Sequence, residues 1–247
     1  MTIKSDADLT ALRRVGRLVA RTLEQMRAAV RPGCTTGELD DVAERFARAS
    51  GARSAPQLTY DFPGFTCISV NDEIVHGIPG PRVIRPGDVV KLDVTLELDG
   101  YMADSAATVL VPPSSDEARR LQRTARAAFN RAMRVARAGR PLSELGRAVE
   151  TTVRGDGFAV VRELTGHGIG RRIHEAPSVP NWADPSERAT LAEGLVIAVE
   201  PMVTALPARA ITAADGWTLR THNHALAVHH EHTIVIRRGA PLVLTAA

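Results

Sequence analysis

Two aspartates in the segment 88–111 have the spacing of metal ligands. Asp93 and Asp104 lie in two runs of alternating apolar and polar residues joined at Asp99-Gly100, a dipeptide that favours a two-residue type I′ hairpin turn. In the predicted hairpin Thr95 faces Asp104, and Asp93 lies two residues away on the same face. Carboxylates this close raise each other's pKa or need a cation between them. An open sheet face would leave them in water, but strands rich in Val, Leu and Ala favour burial and half of a metal site.

Three other ionisable side chains could complete the site. Glu200 ends the apolar run LVIAVEP, Glu231 begins the strand-like run EHTIVI, and His167 lies between glycines in GHGIG. A buried carboxylate is costly unless it is protonated, paired or bound to a metal. Taken singly, each acid could equally end a strand in water, and the histidine could be a hydrogen-bonded core residue.

Considered together, the five residues form a ligand set. Four carboxylates supply the charge that two divalent metal ions balance, and His167 adds a neutral imidazole. An oxygen-rich set with one imidazole favours Co, Mn or Fe, with Zn as a further option, over a structural zinc site. Two neighbouring metals can share a water, lower its pKa and polarise a carbonyl group. The predicted chemistry is therefore hydrolysis.

Pairs of helices precede both parts of this ligand set. Ser5 and Thr35 are predicted to cap two helices, which are followed by the segment 52–86, rich in Gly and Pro. A long helix is predicted over 115–138 and a shorter one over 142–154, and strands and loops follow. The order helix, helix, loop and strands thus occurs twice, which indicates a duplication.

The spacing around two of the acids supports this duplication. Gly87 precedes Asp93 by six positions, as Gly194 precedes Glu200, each in a Val/Leu/Ile-rich strand. Glu200 would then face the first half's aspartates across a pseudo-twofold axis. We therefore expect a single catalytic domain over residues 1–247 whose two pseudo-symmetric halves, about 1–111 and 112–247, share one sheet.

Composition excludes several other classes of protein. The two cysteines, Cys34 and Cys67, cannot form a disulfide framework and fit a reducing compartment. The sequence has no apolar core of a signal peptide and no run of about 18 apolar residues. A formal net charge of +3 gives no strong case for nucleic-acid binding. We expect a cytoplasmic monomer without DNA or membrane partners.

Five motifs in order resemble those of type I methionine aminopeptidases. They are VNDEIVHGIPG, KLDVTLELDGYMADSAAT, GHGIGRRIHEAPSVPNW, GLVIAVEPMV and EHTIVI. The resemblance spans nearly the whole chain and implies the α/β (α+β) pita-bread fold, a pseudo-twofold arrangement in which helices back a curved antiparallel sheet. It implies removal of the initiator methionine, so the expected partners are the N-termini of nascent polypeptides.

The resemblance also assigns roles to individual residues. His76 matches a histidine that contacts the substrate near its scissile amide, and His174 one that hydrogen-bonds the substrate carbonyl or the oxyanion. Glu200 would shuttle a proton from the metal-bridging water, which attacks the first peptide bond, to the leaving amine. The metal ligands match Asp93, Asp104, His167, Glu200 and Glu231.

The predicted methionine pocket departs from the family's usual pattern. By motif position its lining residues are Phe62, Cys67, Ile173 and Trp217, with Thr59 nearby. The departures are Ile173 for an aromatic residue, Thr59 for a tyrosine, Val75 for a cysteine, Ala227 for a serine near an alkali-ion site, and His229-His230 for a polar-aromatic pair. They concern the pocket and the monovalent ion, not the divalent metals. A second copy with altered substrates therefore stays an alternative to a housekeeping enzyme.

Two charged clusters have simpler interpretations. The five histidines within 222–232 are interpreted as solvated loop residues, one of which could reach the substrate. The arginines of the helix 115–138 could contact ribosomal RNA transiently, but a solvated outer face opposite an apolar stripe is favoured.

Two other functions are weighed against this assignment. An Xaa-Pro peptidase of the same fold usually carries a separate N-terminal domain, for which the roughly ninety residues before Asp93 are too few. A non-catalytic binding module typically loses ligands, whereas all five are present here.

Overall fold

Two helix pairs form where the sequence provides caps and apolar stripes. In the computed structural model, which describes residues 1–246, the first pair is α1 (Asp6–Ala29) and α2 (Thr36–Arg48). The hydroxyl of Ser5 accepts from the Asp8 N–H at the start of α1, and Thr35 forms a capping box with Glu38 at the start of α2. These starts agree with the predicted caps.

The later helices include one that the sequence did not predict. A short helix, α3 (Ala55–Tyr60), lies in the Gly/Pro-rich segment, where loops and short apolar runs were expected. The second pair is α4 (Asp116–Val135) and α5 (Ser143–Gly155). The arginines of α4 are exposed, as predicted, while Leu121, Ala125 and Phe129 are buried.

Fifteen strands complete the described chain. They are β1 (Arg53–Ser54), β2 (Cys67–Val70), β3 (Glu73–Val75), β4 (Val89–Leu98), β5 (Tyr101–Leu110), β6 (Ala159–Val160), β7 (Gly166–Gly168), β8 (Glu175–Val179), β9 (Val196–Val199), β10 (Met202–Thr204), β11 (Ala210–Thr212), β12 (Leu219–Thr221), β13 (Ala227–His229), β14 (His232–Val235) and β15 (Leu242–Val243). No helix among residues 1–246 is both long enough and apolar enough to cross a membrane.

The β4–β5 hairpin has the predicted register. Thr95 pairs with Asp104 and Leu98 with Tyr101. Asp99 and Gly100, with φ values of 53° and 78°, both occupy the left-handed region, as a type I′ turn requires. Asp93 and Asp104 therefore share one face of the hairpin, and this prediction is confirmed.

The strands form four antiparallel sheets rather than one ladder. β4 pairs with β1, β2 and β5, and a five-stranded sheet has the order β15-β14-β9-β7-β8. Two three-stranded sheets have the orders β13-β10-β6 and β11-β12-β3. Of these four sheets, only β11-β12-β3 combines strands from both predicted halves. The strands therefore do not form the single shared sheet that was expected, but several separately hydrogen-bonded sheets. Two clusters of buried apolar side chains lie beneath the two helix pairs.

Candidate metal centre

Five ionisable side chains from distant strands meet at one point. Asp93 lies on β4, Asp104 on β5 and His167 on β7, while Glu200 follows β9 and Glu231 lies between β13 and β14. The Nε2 atom of His167 is 3.5 Å from Glu200 Oε1 and 4.0 Å from Asp104 Oδ2. Ligand atoms of Asp104, His167 and Glu231 all lie within 4.8 Å of one another. The structure thus brings together all five residues that the sequence singled out as ligands.

The acids lie where an isolated negative charge is unfavourable. Burial and the neighbouring carboxylates raise the pKa values of Asp93 and Glu231 well above their usual range, and burial raises the pKa of Glu200 to about 8. Asp93 Oδ1, Asp104 Oδ1 and Glu231 Oε1 are buried without a hydrogen-bond partner among the described residues. Such orphaned acceptors need protons or cations. An oxygen-rich donor set of this kind fits divalent metal ions.

The ring of His167 is oriented for metal binding. Its Nδ1–H donates to the carbonyl oxygen of Gly168 at 2.9 Å, because a carbonyl can only accept. The proton is therefore held on Nδ1, and the Nε2 lone pair faces the acids. Metal-ligating histidines are commonly fixed in this way by a hydrogen bond from the other ring nitrogen.

Side-chain hydroxyls join the hairpin to the segment that carries Glu231. The Asp104 N–H donates to Thr233 Oγ1 at 2.9 Å, and the Thr233 hydroxyl donates to the Asp104 carbonyl at 2.8 Å. Ser105 Oγ donates to the Glu231 carbonyl, and the Glu231 N–H donates to the carbonyl of Ala106. These bonds fix the separation of two ligands that lie far apart in sequence.

Replacing Thr233 with valine tests this connection. The change keeps the side-chain shape but leaves the Asp104 N–H and carbonyl without their buried partner. We expect a loss of about 1–3 kcal/mol in the free energy of unfolding and weaker metal binding, measured by urea unfolding and calorimetric titration. Thr212→Val, on the exposed strand β11, is the control. Equal effects from both substitutions would contradict the role of this bond.

An apolar cavity opens beside the acids. Its volume is about 250 Å³, and Asp93 and Asp104 contribute to its wall. The four pocket residues predicted from the sequence all line it: Phe62, Cys67, Ile173 and Trp217. Phe62 and Trp217 meet edge to face with ring centroids 5.2 Å apart. A second cavity, of about 350 Å³, is lined by the five ligands and, at its other side, by Glu163, Leu164 and Thr165.

Tyr60, and not Thr59, lies in the wall of the first cavity. Thr59 is exposed, whereas the Tyr60 hydroxyl is 2.5 Å from Nδ1 of His174. Partial burial and the nearby His167 and His76 lower the pKa of His174 to about 4, so its ring is neutral. The tyrosine O–H can donate to Nδ1, and in that tautomer the histidine proton is on Nε2.

Replacing Tyr60 with phenylalanine tests this arrangement. Without the hydroxyl, His174 loses the hydrogen bond at Nδ1 that favours a proton on Nε2. We expect kcat to fall roughly tenfold with KM little changed. This loss is smaller than the ~10²–10⁴-fold that a positioned proton donor contributes, because the histidine itself remains. Tyr101→Phe is a matched control because Tyr101 bonds Asp8, outside the cavity. A change in KM alone would instead assign Tyr60 to substrate binding.

His76 contributes to both cavities from an unusual backbone conformation. Its φ is 58°, which is uncommon for a residue with a side chain. The following Gly77 lies against the chain, because a Cβ there would be 2.3 Å from the Ile68 carbonyl oxygen. Burial lowers the pKa of His76, so a neutral imidazole faces the ligands. Strain of this kind concentrates at functional sites.

His229 is the residue that sequence reasoning missed. The interpretation of the five histidines as solvated is wrong for His229, which is 2% exposed, and holds for His222 and His224. Its Nε2 is 3.4 Å from Glu200 Oε2 and 3.8 Å from Glu231 Oε2. The strand period of two could have revealed this, since His229 and Glu231 are two residues apart.

Ala227, which the resemblance places near an alkali-ion site, lies beside a buried lysine. The carbonyl of Asn71 accepts from the N–H of Ala227 at 3.1 Å and from the ammonium of Lys91 at 2.7 Å. Burial lowers the pKa of Lys91 to about 7. A lysine nitrogen therefore already contacts this carbonyl.

Comparison with known proteins agrees with the geometry. The model of metallopeptidase family M24 matches residues 10–238. Methionine aminopeptidase 2 of Bacillus subtilis (strain 168) is 39% identical, covering 99% of both chains. A methionine aminopeptidase of Staphylococcus epidermidis is 40% identical, covering 99% of this chain and 98% of its own.

Solved structures give the same result. The methionine aminopeptidase of Thermotoga maritima superposes with a TM-score of 0.96 at 31% identity, covering 100% of both chains. It shares the pita-bread fold with this chain. The prolidase from Pyrococcus furiosus has a TM-score of 0.81, but at 20% identity and 66% coverage of its chain it shares the fold alone. The chain belongs to metallopeptidase family M24 and, within it, to the methionine aminopeptidases.

Proposed function

We propose that this protein is a metal-dependent aminopeptidase that removes the N-terminal methionine from proteins and peptides. The observation that carries the proposal is the position of the ligand set at the wall of an apolar cavity. A methionine side chain in that cavity would lie next to Asp93 and Asp104. Its amino group and first peptide bond would then face the five buried ligands.

The metal ligands in this proposal are Asp93, Asp104, His167, Glu200 and Glu231. Two divalent ions would balance their four negative charges, with Co, Mn or Fe preferred and Zn as a further option. Held by these residues, such ions would supply water activation and polarisation of the scissile carbonyl. The buried acceptors without hydrogen-bond partners support this assignment.

The cavity residues would bind the methionine side chain. Phe62 and Trp217 offer aromatic edges, and sulfur–aromatic contacts contribute about 0.3–1.5 kcal/mol. Ile173, at the position where the motif resemblance leads us to expect an aromatic residue, makes the wall aliphatic but keeps it apolar. Cys67, which is buried, completes the lining without adding charge. The pocket therefore favours an unbranched apolar side chain.

Proton transfer would use Glu200 and the two cavity histidines. In the metal-free protein burial raises the pKa of Glu200 to about 8; bound metal would displace that proton and leave a carboxylate that can accept one during the reaction. Glu200 would take a proton from the attacking water and deliver it to the leaving amine. His174, with its proton on Nε2, would donate to the substrate oxyanion, and His76 would contact the scissile amide.

The chain would act as one catalytic domain of two pseudo-symmetric halves. Asp93 and Asp104 come from residues 1–111, whereas His167, Glu200 and Glu231 come from the remainder, so neither half holds a complete set. The corresponding helix pairs α1–α2 and α4–α5 support the duplication. The substrates would be the N-termini of nascent chains in the cytoplasm, bound by a monomer that could contact the ribosome transiently.

Three peptides test the proposal. Metal-loaded protein is expected to release methionine from Met-Ala-Ser, to leave Ala-Ala-Ser largely intact and to process Met-Pro-Ala, as detected by chromatography of the free amino acid. Preference for Ala-Ala-Ser would refute the methionine pocket. No release from any peptide, with metal demonstrably bound, would refute the aminopeptidase assignment.

A further inference from the structure

A second imidazole lies within the acid cluster. His229 Nε2 approaches two ligands, Glu200 Oε2 at 3.4 Å and Glu231 Oε2 at 3.8 Å. The ligand atoms of these three residues all lie within 4.8 Å of one another. They form a second three-donor group beside that of Asp104, His167 and Glu231, and Glu231 belongs to both groups.

The two ring nitrogens of His229 are unpaired although the residue is buried. It is 2% exposed, and neither ring nitrogen has a hydrogen-bond partner among residues 1–246. A buried polar group without a partner is unfavourable. A cation between the imidazole and the two carboxylates would be bound by Nε2 and by one oxygen of each acid.

The backbone of His229 is held in place from the hairpin. The Thr108 hydroxyl accepts from the His229 N–H at 3.0 Å and donates to the His229 carbonyl at 2.9 Å. Strand pairing with Met202 fixes the residue from the other side. The ring therefore points at the acids because of fixed backbone geometry, whereas the neighbouring His230 packs against Phe129 instead.

We propose that His229 is a sixth metal ligand, which gives this centre a second imidazole and forms a binding group for one divalent cation with Glu200 and Glu231. The inference rests on the proposed metal-dependent function. Imidazole suits Zn, Fe and Co better than Mn. The second imidazole therefore shifts the metal preference of this chain away from Mn.

Metal binding without substrate tests the proposal. In His229→Gln, a polar side chain remains but the imidazole is lost. Calorimetric titration with Zn²⁺ and with Mn²⁺ is expected to show affinity at one of two sites falling at least about tenfold, the scale on which ligand-sphere changes act, with a larger loss for Zn²⁺. The spin-echo modulation of Co²⁺-loaded protein should lose the contribution of one coordinated imidazole. His230→Gln, which alters the adjacent residue, should change neither result.

Unchanged affinities and an unchanged nitrogen signal in His229→Gln would overturn the proposal. If that variant does not fold, crystals of the zinc-loaded natural sequence decide. A zinc ion about 2.0–2.1 Å from Nε2 supports it, and an Nε2 that only hydrogen-bonds a carboxylate overturns it. These results are independent of peptide cleavage, so they distinguish failure of this ligand from failure of the aminopeptidase assignment.

Discussion

Replacing Asp104 with asparagine is expected to reduce methionine release by at least about a hundredfold, because metal polarisation supplies several kcal/mol of transition-state stabilisation. Asp104 lies in a three-donor group with His167 and Glu231 and contributes to the cavity wall. The amide keeps the side-chain shape but removes one of the four charges. Peptide cleavage by chromatography measures the loss.

Folding can be separated from catalysis in this variant. Without metal, Asp104→Asn removes a negative charge close to Asp93 and Glu231, whose pKa values the Asp104 carboxylate helps to raise. The metal-free variant should therefore have a Tm equal to or above that of the natural sequence. Asp99→Asn, in the exposed hairpin turn, is a matched control that should keep full activity. Activity above a tenth of normal in Asp104→Asn would contradict the role of Asp104.

Stabilisation by divalent metal is expected to increase as the pH rises from 5 to 8. In the metal-free protein the pKa of Glu200 is about 8, above its ordinary value of 4.5. Its contribution to stability is therefore fully present below about pH 4.5 and is lost as the pH rises through 8. Asp93 and Glu231, whose pKa values are also raised, act in the same direction. Metal replaces the protons on these acids and restores the lost stability.

The measurement is the difference in Tm between metal-loaded and chelator-treated protein at each pH. Buried groups outside the centre, such as Lys91, titrate in both samples and cancel in this difference. Glu200→Gln should make the pH dependence shallower, since one proton no longer competes with metal. A difference that is constant or shrinks towards pH 8 would show that these acids do not hold the ion.

Local sequence signals were sufficient for the hairpin and the main helices. The Asp99-Gly100 turn determines the register that pairs Thr95 with Asp104, and short-range hydrogen bonds at Ser5 and Thr35 determine where α1 and α2 begin. These features depend on residues within a few positions of each other. They can therefore be deduced without knowledge of the fold.

Features that depend on distant contacts were not predictable in this way. Asp104 and Thr233 are 129 residues apart in sequence, so periodicity gives no information on their hydrogen bonds. The helix α3, hidden in a segment rich in Gly and Pro, turns Tyr60 instead of Thr59 towards His174. The sequence interpretation placed His229 in a solvated loop because five histidines lie close together there. The two-residue period of a strand instead places His229 on the same face as Glu231.

The most direct test of the account is a titration of metal-free protein with Co²⁺ or Mn²⁺ in which bound metal and methionine release from Met-Ala-Ser are followed together. We expect no release without metal, activity that rises as metal fills the carboxylate and imidazole ligand set, and saturation when the centre is full. Cleavage that persists in the metal-free protein, or a filled centre that releases no methionine, would contradict it.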